Sequence, residues 1–562
     1  MSRAHRPTVA PGTRSVVAES RSAPPPSANA RFWAWAAVAL VLVLVAAIRV
    51  RLLDVPLERD EGEYAYAGQL ILRGIPPYQM AYNMKLPGAY AVYALFLALF
   101  GPTARGVHLG LLVVNAAAVV LLFQLVRRLF GSFAGVCAAA TYALLSVGQP
   151  VRGIFAHSSH LVVLFALAGF LRLLIAAGSG RRRDYLGSGL LFGLSFVMKQ
   201  HGIFFVVFGA AAVLLPTRGH GRGGRRPWTS APGAAFALGA AAPFLLACLV
   251  LLIAGVFPAF WFWTFRYASA YASELPLAEG LANLRNAIVG AVPPAAPLWG
   301  LGLAGLAALL ADRTWRSRRA LVVLFALTSF ITMCPGLYFR EHYWILFLPA
   351  LALLAGLAVE WLRQRLLRSR LRRAAGPIAA AVFLGLFVAT LVGQRQFLFQ
   401  ATAREASRWT YGPNPFVEAP EVARYIAAHS APGERILVMG SEPEIYFYAN
   451  RASATGHIYM YGLMEHQPYA LTMQQQAVRE IEQNAPAWIV FVNCPQSWLI
   501  RPDSERWLLQ WYARYVEERY QPAGLVEIIS TRETAYRWSP SVTIRDTRSP
   551  YFLMVYRRKP AT

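Results

Sequence analysis

Apolar runs of membrane length recur through the first two-thirds of the chain, at about 32–53, 106–126, 132–150, 160–178, 186–199, 202–217, 232–256, 287–311, 320–335, 343–361 and 377–394. A helix needs about 20 mostly apolar residues to cross a bilayer, so the pattern predicts about eleven spans. A twelfth run, 86–101 ("LPGAYAVYALFLALFG"), is short, and the arginines decide its status. If it crosses, the basic loops at 127–128 and 181–183 lie opposite the basic N-terminal tail. If it lies at the interface or re-enters, every basic loop shares that tail's side: 127–128, 181–183, 218–226, 313–319 and 363–373. The positive-inside rule favours the second count. It places the N-terminus inside and everything after residue 395 outside. Arg49 and Arg51, at the outer end of the first span, are exceptions.

Beyond 395 the pattern changes to alternating helix-like and strand-like runs. "PEVARYIAAHSAPG", "LTMQQQAVREIEQNAP" and "SERWLLQWYARYVEERY" read as helices, "ERILVMG", "AWIVFVN" and "YFLMVYRR" as strands, and "SEPEIYFYANR" as helical. This order predicts a soluble α/β domain over 396–562. Residues 1–31, rich in Pro, Ala, Ser and Arg, read as a disordered cytoplasmic tail. The predicted architecture is a polytopic α-helical membrane domain over 32–395, with interfacial helices, followed by that α/β domain.

Composition agrees with this pattern. Only 15% of the 562 residues are charged, against about a quarter in soluble proteins. The net charge of +26 sits in short loops, so it reports topology and not nucleic-acid binding. Cys137, Cys248 and Cys334 fall in apolar runs and Cys494 is alone in the tail, which excludes a disulfide framework. No span carries Asp or Glu near its middle. Ion-coupled transporters commonly need such groups.

The outer segments hold the candidate chemistry. In "LERDEGEYAYAGQLILRG", Asp60 is expected to cap a helix running to about Arg73, with Glu63 completing a capping box. Tyr64, Ala67 and Ile71 then share one face, which suits a helix lying on the membrane. Lys85, Lys199 and Arg340 come from three separate outer loops. Together they form a clamp for a lipid-linked phosphate, where cationic groups stabilise a developing oxyanion; singly, each lysine could simply snorkel. The loop "GQPVRGIFAHSSHL" offers Arg152, His157 and His160. Without nearby Cys or carboxylate the two histidines make a poor metal site. The aromatic stretch 257–274 reads as an interfacial belt or as a lid over a substrate. Glu442, Glu444 and Tyr446, after a predicted strand, are further candidates.

These motifs resemble the GT-C membrane glycosyltransferases, especially the bacterial branch similar to protein O-mannosyltransferases and lipid A aminoarabinose transferases. The matching pieces are "RDEGEYAYAGQLILRG", "MKLPGAYAVYALFLALFG", "LVRRLFG", "GSGLLFGLSFVMKQHG" and "REHYWILFLPALALLAG", in the family's order over roughly 31–395. The resemblance implies transfer of a sugar from a polyprenyl-phosphate donor to a glycan, lipid or protein acceptor, outside the bacterial cytoplasmic membrane. It implies Asp60 as catalytic base and Lys85, Lys199 and Arg340 as donor-phosphate binders; Glu61 beside Asp60 and His342 beside Arg340 join them as candidates read from the residues themselves. Glu63, Tyr64, Tyr82, Arg152, His157 and His160 are further substrate contacts on this reading. Many members carry a second acidic residue in the next outer loop; here 148–161 contains none. No cofactor is expected, and a divalent ion is not favoured. The membrane lipid is an expected partner; nucleic acid is not. The competing readings are a lipid or sugar-lipid transporter and a non-catalytic envelope assembly protein.

Overall fold

The computed structural model describes residues 28–214, 231–273 and 275–560; the basic loop at 218–226 and most of the N-terminal tail lie outside these. The first helix starts within the expected tail, at Ala28. In chain order the membrane part holds α1 (Ala28–Arg51), α2 (Arg59–Leu72), α3 (Pro87–Phe100), α4 (Ala104–Phe130), α5 (Ser132–Leu145), α6 (Ser158–Ser179), α7 (Arg182–Met198), α8 (Ile203–Leu214), α9 (Ala231–Ile253), α10 (Phe257–Trp261), α11 (Ala268–Ala272), α12 (Leu277–Ala291), α13 (Ala296–Ala311), α14 (Arg316–Ile331), α15 (Trp344–Leu367) and α16 (Ala375–Gly393). Seven helical stretches among the described residues are long and apolar enough to cross a membrane, and α3, α5 and α8 are shorter apolar helices. The protein is a multi-pass membrane protein.

Both ends of α3 return to one face. Lys85, just before it, pairs with Asp60, and Arg105, just after it, pairs with Asp54. Fourteen residues span about 21 Å at 1.5 Å each, short of a hydrocarbon core of about 30 Å. The loops after α4, α13 and α15 gather at the opposite end of the bundle. Trp315 packs on Phe130, Arg363 lies over Phe133, and Arg365 is 3.6 Å from Asp312. Arg49 and Arg51 stand apart from these loops because they bind backbone. Arg49 donates to the Ser146 and Gly153 carbonyls, and Arg51 to those of Phe397, Leu398 and Ala401. They fix the loop after α5 and the chain's exit from α16.

The sheet domain adds α17 (Ala403–Tyr411), α18 (Ala419–Ala428), β1 (Arg435–Met439), α19 (Glu444–Ala449), β2 (Ala452–Ser453), α20 (Tyr461–Met464), α21 (Ala470–Asn484), β3 (Trp488–Asn493), α22 (Pro495–Trp498), α23 (Trp507–Arg519), β4 (Tyr520–Ile528), β5 (Thr534–Arg537) and β6 (Phe552–Arg558). The strand order is β2-β1-β3-β6-β4-β5. β1 runs parallel to β2 and β3, while β6 is antiparallel to β3 and β4. The apolar run of β3 lies at the centre, as a strand buried on both faces requires. β4 is absent from the sequence reading because Pro522 and Gly524 interrupt its alternation; the register shifts between them as a bulge.

α2 does not lie free on the membrane surface. Glu61 through Leu70 are all buried, because the helix is held between α3 and α19. Gly62 makes the closest approach: a Cβ there would meet the Glu444 backbone nitrogen at 2.6 Å. The cap also differs from expectation. Glu58, not Asp60, is the N-cap, and Glu61, not Glu63, closes the capping box. The shift of two residues leaves Asp60 in the first turn with its carboxylate free to point elsewhere.

Candidate active site

α2, the loop before α3, the break after α7, the aromatic segment 257–272, the turn before α15 and parts of the sheet domain enclose a cavity of about 720 Å³. Asp60, Tyr64, Lys85, Arg152, His157, Lys199, Arg340 and His342 all line it. Local sequence explains how the lysines meet. "KLPG" starts α3 with Pro87 in its first turn, and Gly88 lets that turn press on the end of α7; a Cβ there would lie 2.5 Å from the Val197 carbonyl oxygen. Lys199 itself breaks helix α7, with extended backbone (φ −163°), so its side chain enters the cavity.

Lys85 Nζ lies 2.5 Å from Asp60 Oδ1 and 2.8 Å from Glu63 Oε2. Glu63 is fully buried behind the site, where Tyr90 donates to its other oxygen at 2.5 Å. Burial pushes the Asp60 carboxyl up, but the Lys85 charge, with the nearby His157 and His342 rings, outweighs it and holds it well below the usual carboxylate range. Burial pushes Lys85 down, and Asp60 and Glu63 more than reverse this. Glu58 is raised to about 7 by burial and by the Asp60 charge.

The other cations differ in their partners. Arg59 pairs with Glu442 at 3.0 Å and Arg152 with Glu341 at 3.0 Å. Among the described residues Lys199 and Arg340 have no carboxylate within ion-pair distance. They face aromatic rings instead: Lys199 Nζ sits 4.2 Å from the Tyr343 centroid, and the Arg340 guanidinium 5.1 Å from that of Tyr338. Burial lowers Lys199 to about 7, with Lys85 and Arg340 opposing Asp60. Two uncompensated cations opposite a carboxylate form a site that favours an anion.

Four expected contacts belong elsewhere. Glu61 does not line the cavity. Its carboxylate takes hydrogen bonds from the Glu58 and Ala156 backbone nitrogens and faces His108 Nε2 at 3.0 Å, so it sets the cap and the loop after α5. Glu63 reaches the site only through Lys85. Tyr82 lies behind, stacked on Trp263 and donating to Glu480 at 3.1 Å, where it joins the sheet domain to the aromatic segment. His160 is buried outside the cavity. His157 has extended backbone (ψ 143°) before α6 begins, so three-residue spacing does not place the two rings on one helical face. Glu442, Glu444 and Tyr446 do not line the cavity: Glu442 anchors Arg59, Glu444 packs on Gly62, and Tyr446 Oη accepts from the Val438 nitrogen at 2.8 Å.

The sequence reading missed Glu58, Asn414, Tyr411 and Tyr461, which line the cavity. Only Glu58 had a local signal, as an acceptor one residue before a helix. The aromatic segment supplies Thr264, Phe265 and Tyr271 to the wall, while Tyr267 donates to Glu465 of the sheet domain at 2.6 Å.

A family model described as dolichyl-phosphate-mannose-protein mannosyltransferase matches residues 85–246. Among solved structures, ArnT from Cupriavidus metallidurans bound to undecaprenyl phosphate is similar at 16% identity and TM-score 0.59, over 94% of this chain and 98% of that one. The chain has the GT-C membrane glycosyltransferase fold. The apo state of the same ArnT aligns over the same shares at 15% identity and TM-score 0.56. The Archaeoglobus fulgidus oligosaccharyltransferase AglB, in complex with an inhibitory peptide and a dolichol-phosphate, aligns at 13% identity and TM-score 0.52, over 92% of this chain and 76% of its own length. No curated protein sequence matches the chain significantly.

Proposed function

We propose that the cavity binds a sugar linked to a polyprenyl phosphate and transfers the sugar to an acceptor hydroxyl on the outer side of the bacterial cytoplasmic membrane. The observation that carries this reading is the pair Lys199 and Arg340, unpaired by carboxylates, facing Asp60 across a cavity beside the membrane bundle. The lipid-phosphate complexes of ArnT and AglB support the donor class.

In this reading the phosphate rests between Lys199 and Arg340. The acceptor oxygen attacks the anomeric carbon from the opposite side, and the carbon–oxygen bond to phosphate breaks with its electron pair leaving on phosphate. The acceptor proton goes to Asp60, and the anomeric configuration inverts. A positioned base contributes about 10²–10⁴-fold. Lys199 and Arg340 stabilise the leaving charge, a task that divalent ions perform in other sites. Lys85 keeps Asp60 charged and aimed.

The test is transfer of radiolabelled sugar from a polyprenyl-phosphate donor to product in vesicles containing the protein. Product formation supports the enzyme. Movement of intact labelled lipid between leaflets without product supports the transporter reading, and neither result supports an assembly role.

A further inference from the structure

His157 stands in the loop between α5 and α6, and polar groups face both edges of its ring. Nδ1 lies 3.6 Å from Glu58 Oε1 and 3.8 Å from Asp60 Oδ2. Nε2 lies 3.3 Å from the Tyr411 hydroxyl. One face stacks on His342, with centroids 4.2 Å apart and planes at 15°. Tyr411 lines the cavity and carries the Arg152 guanidinium on its ring at 4.5 Å. His160, buried outside the cavity, is a further titratable neighbour. His157 is only 1% exposed, so a substrate hydroxyl meets Asp60 first.

We infer that His157 is the second carrier of the transferred proton, accepting it from Asp60 and passing it to Tyr411. This rests on the proposed transfer. The acceptor O–H bond breaks and the proton joins Asp60 Oδ2. It then moves to His157 Nδ1, which returns Asp60 to its charged form and leaves an imidazolium between two carboxylates. The proton held at Nε2 leaves through the Tyr411 hydroxyl to water in the cavity. Distances of 3.6–3.8 Å close to hydrogen bonds when substrate is bound, as catalytic contacts often do. The relay answers a real difficulty. A carboxylate held at low pKa by Lys85 accepts a proton but keeps it poorly, and imidazole is the side chain suited to moving protons near neutral pH.

Asp60, His157 and His342 also present donor atoms within 4.8 Å of one another, as a metal site would. The stacked rings lie in nearly parallel planes, so their in-plane lone pairs do not meet at one point, whereas a tetrahedral ion needs them to converge. Lys85 already holds Asp60 Oδ1, and Lys199 and Arg340 line the same cavity. These features favour the proton over a cation.

The test is the pH profile of kcat for radiolabelled transfer by the full-length protein in vesicles. Wild type is expected to lose activity on the acid side of neutral. His157→Gln is expected to lower kcat about 10–100-fold, a part of a full base's contribution, with donor KM within about threefold and the acid limb gone. Tyr411→Phe, a milder variant, is expected to lower kcat and keep the limb. An unchanged kcat and profile in both variants overturns the relay. So does activity lost on chelation and restored by zinc, which makes the three residues a metal site. Absence of transfer by wild type at every pH defeats the proposed function itself, whereas normal wild-type transfer with an unaltered His157→Gln profile defeats only the relay.

Discussion

Lys85 Nζ and Asp60 Oδ1 are 2.5 Å apart although 25 residues separate them. The contact joins the first turn of α2 to the start of α3, and Glu63 completes it from the turn above. Breaking a buried pair by removing one partner costs about 3–5 kcal/mol, because the other charge is left unpaired. Lys85→Met is expected to lower thermal stability in detergent by an amount of that order. The double variant Lys85→Met/Glu63→Gln should recover part of the loss. Thermal unfolding of both variants checks this.

Lys199 and Arg340 are the cations without carboxylate partners. Replacing both with Ala is expected to weaken binding of the polyprenyl phosphate by more than about tenfold, with little change in unfolding temperature. Neither residue would leave a buried carboxylate unpaired. A binding titration with the lipid phosphate measures the first effect and a melting curve the second.

Donor binding should depend on pH through Lys199. Its folded pKa is lowered to about 7 by burial, so the ammonium is present below that value and is lost as pH rises through it. Affinity of the free protein for a lipid phosphate is therefore expected to fall between about pH 6 and 8. Lys199→Arg, which stays charged throughout, should flatten the curve. An equally steep curve in that variant assigns the pH dependence to another group.

Gly62 tests the docking of the sheet domain on α2. A Cβ at this position meets backbone of Glu444 at 2.6 Å, and backbone cannot swing away. Gly62→Val is expected to cost about 1–3 kcal/mol, as overpacking does, and to increase protease cleavage near residue 401. A cleavage pattern identical to wild type would show that this contact bears no strain.

Much of the membrane architecture was legible because spans and basic loops follow from hydropathy and charge alone. Lys85, Lys199 and Arg340 could be read as convergent because each ends or begins an apolar run on the same face. The position of the cap could not. "LERDEGEY" offers four acidic candidates, and only the contact with Ala156 and His108 selects Glu61 as the box residue and frees Asp60. Tyr411 and Tyr461 escaped notice because they reach the cavity from more than 300 residues beyond Asp60 in sequence. Tyr82 was drawn in by its neighbours in the loop, but stacking on Trp263 turns it toward the sheet domain. β4 escaped because Pro522 and Gly524 hide its alternation.

The central claim is that Asp60 takes a proton in a site that holds its donor by other residues. The most direct measurement compares wild type with Asp60→Asn for sugar transfer and for lipid-phosphate binding in the same preparation. The account predicts transfer reduced by at least about 10²-fold, with binding of the lipid phosphate retained. Transfer at the wild-type rate by the Asn variant would contradict it.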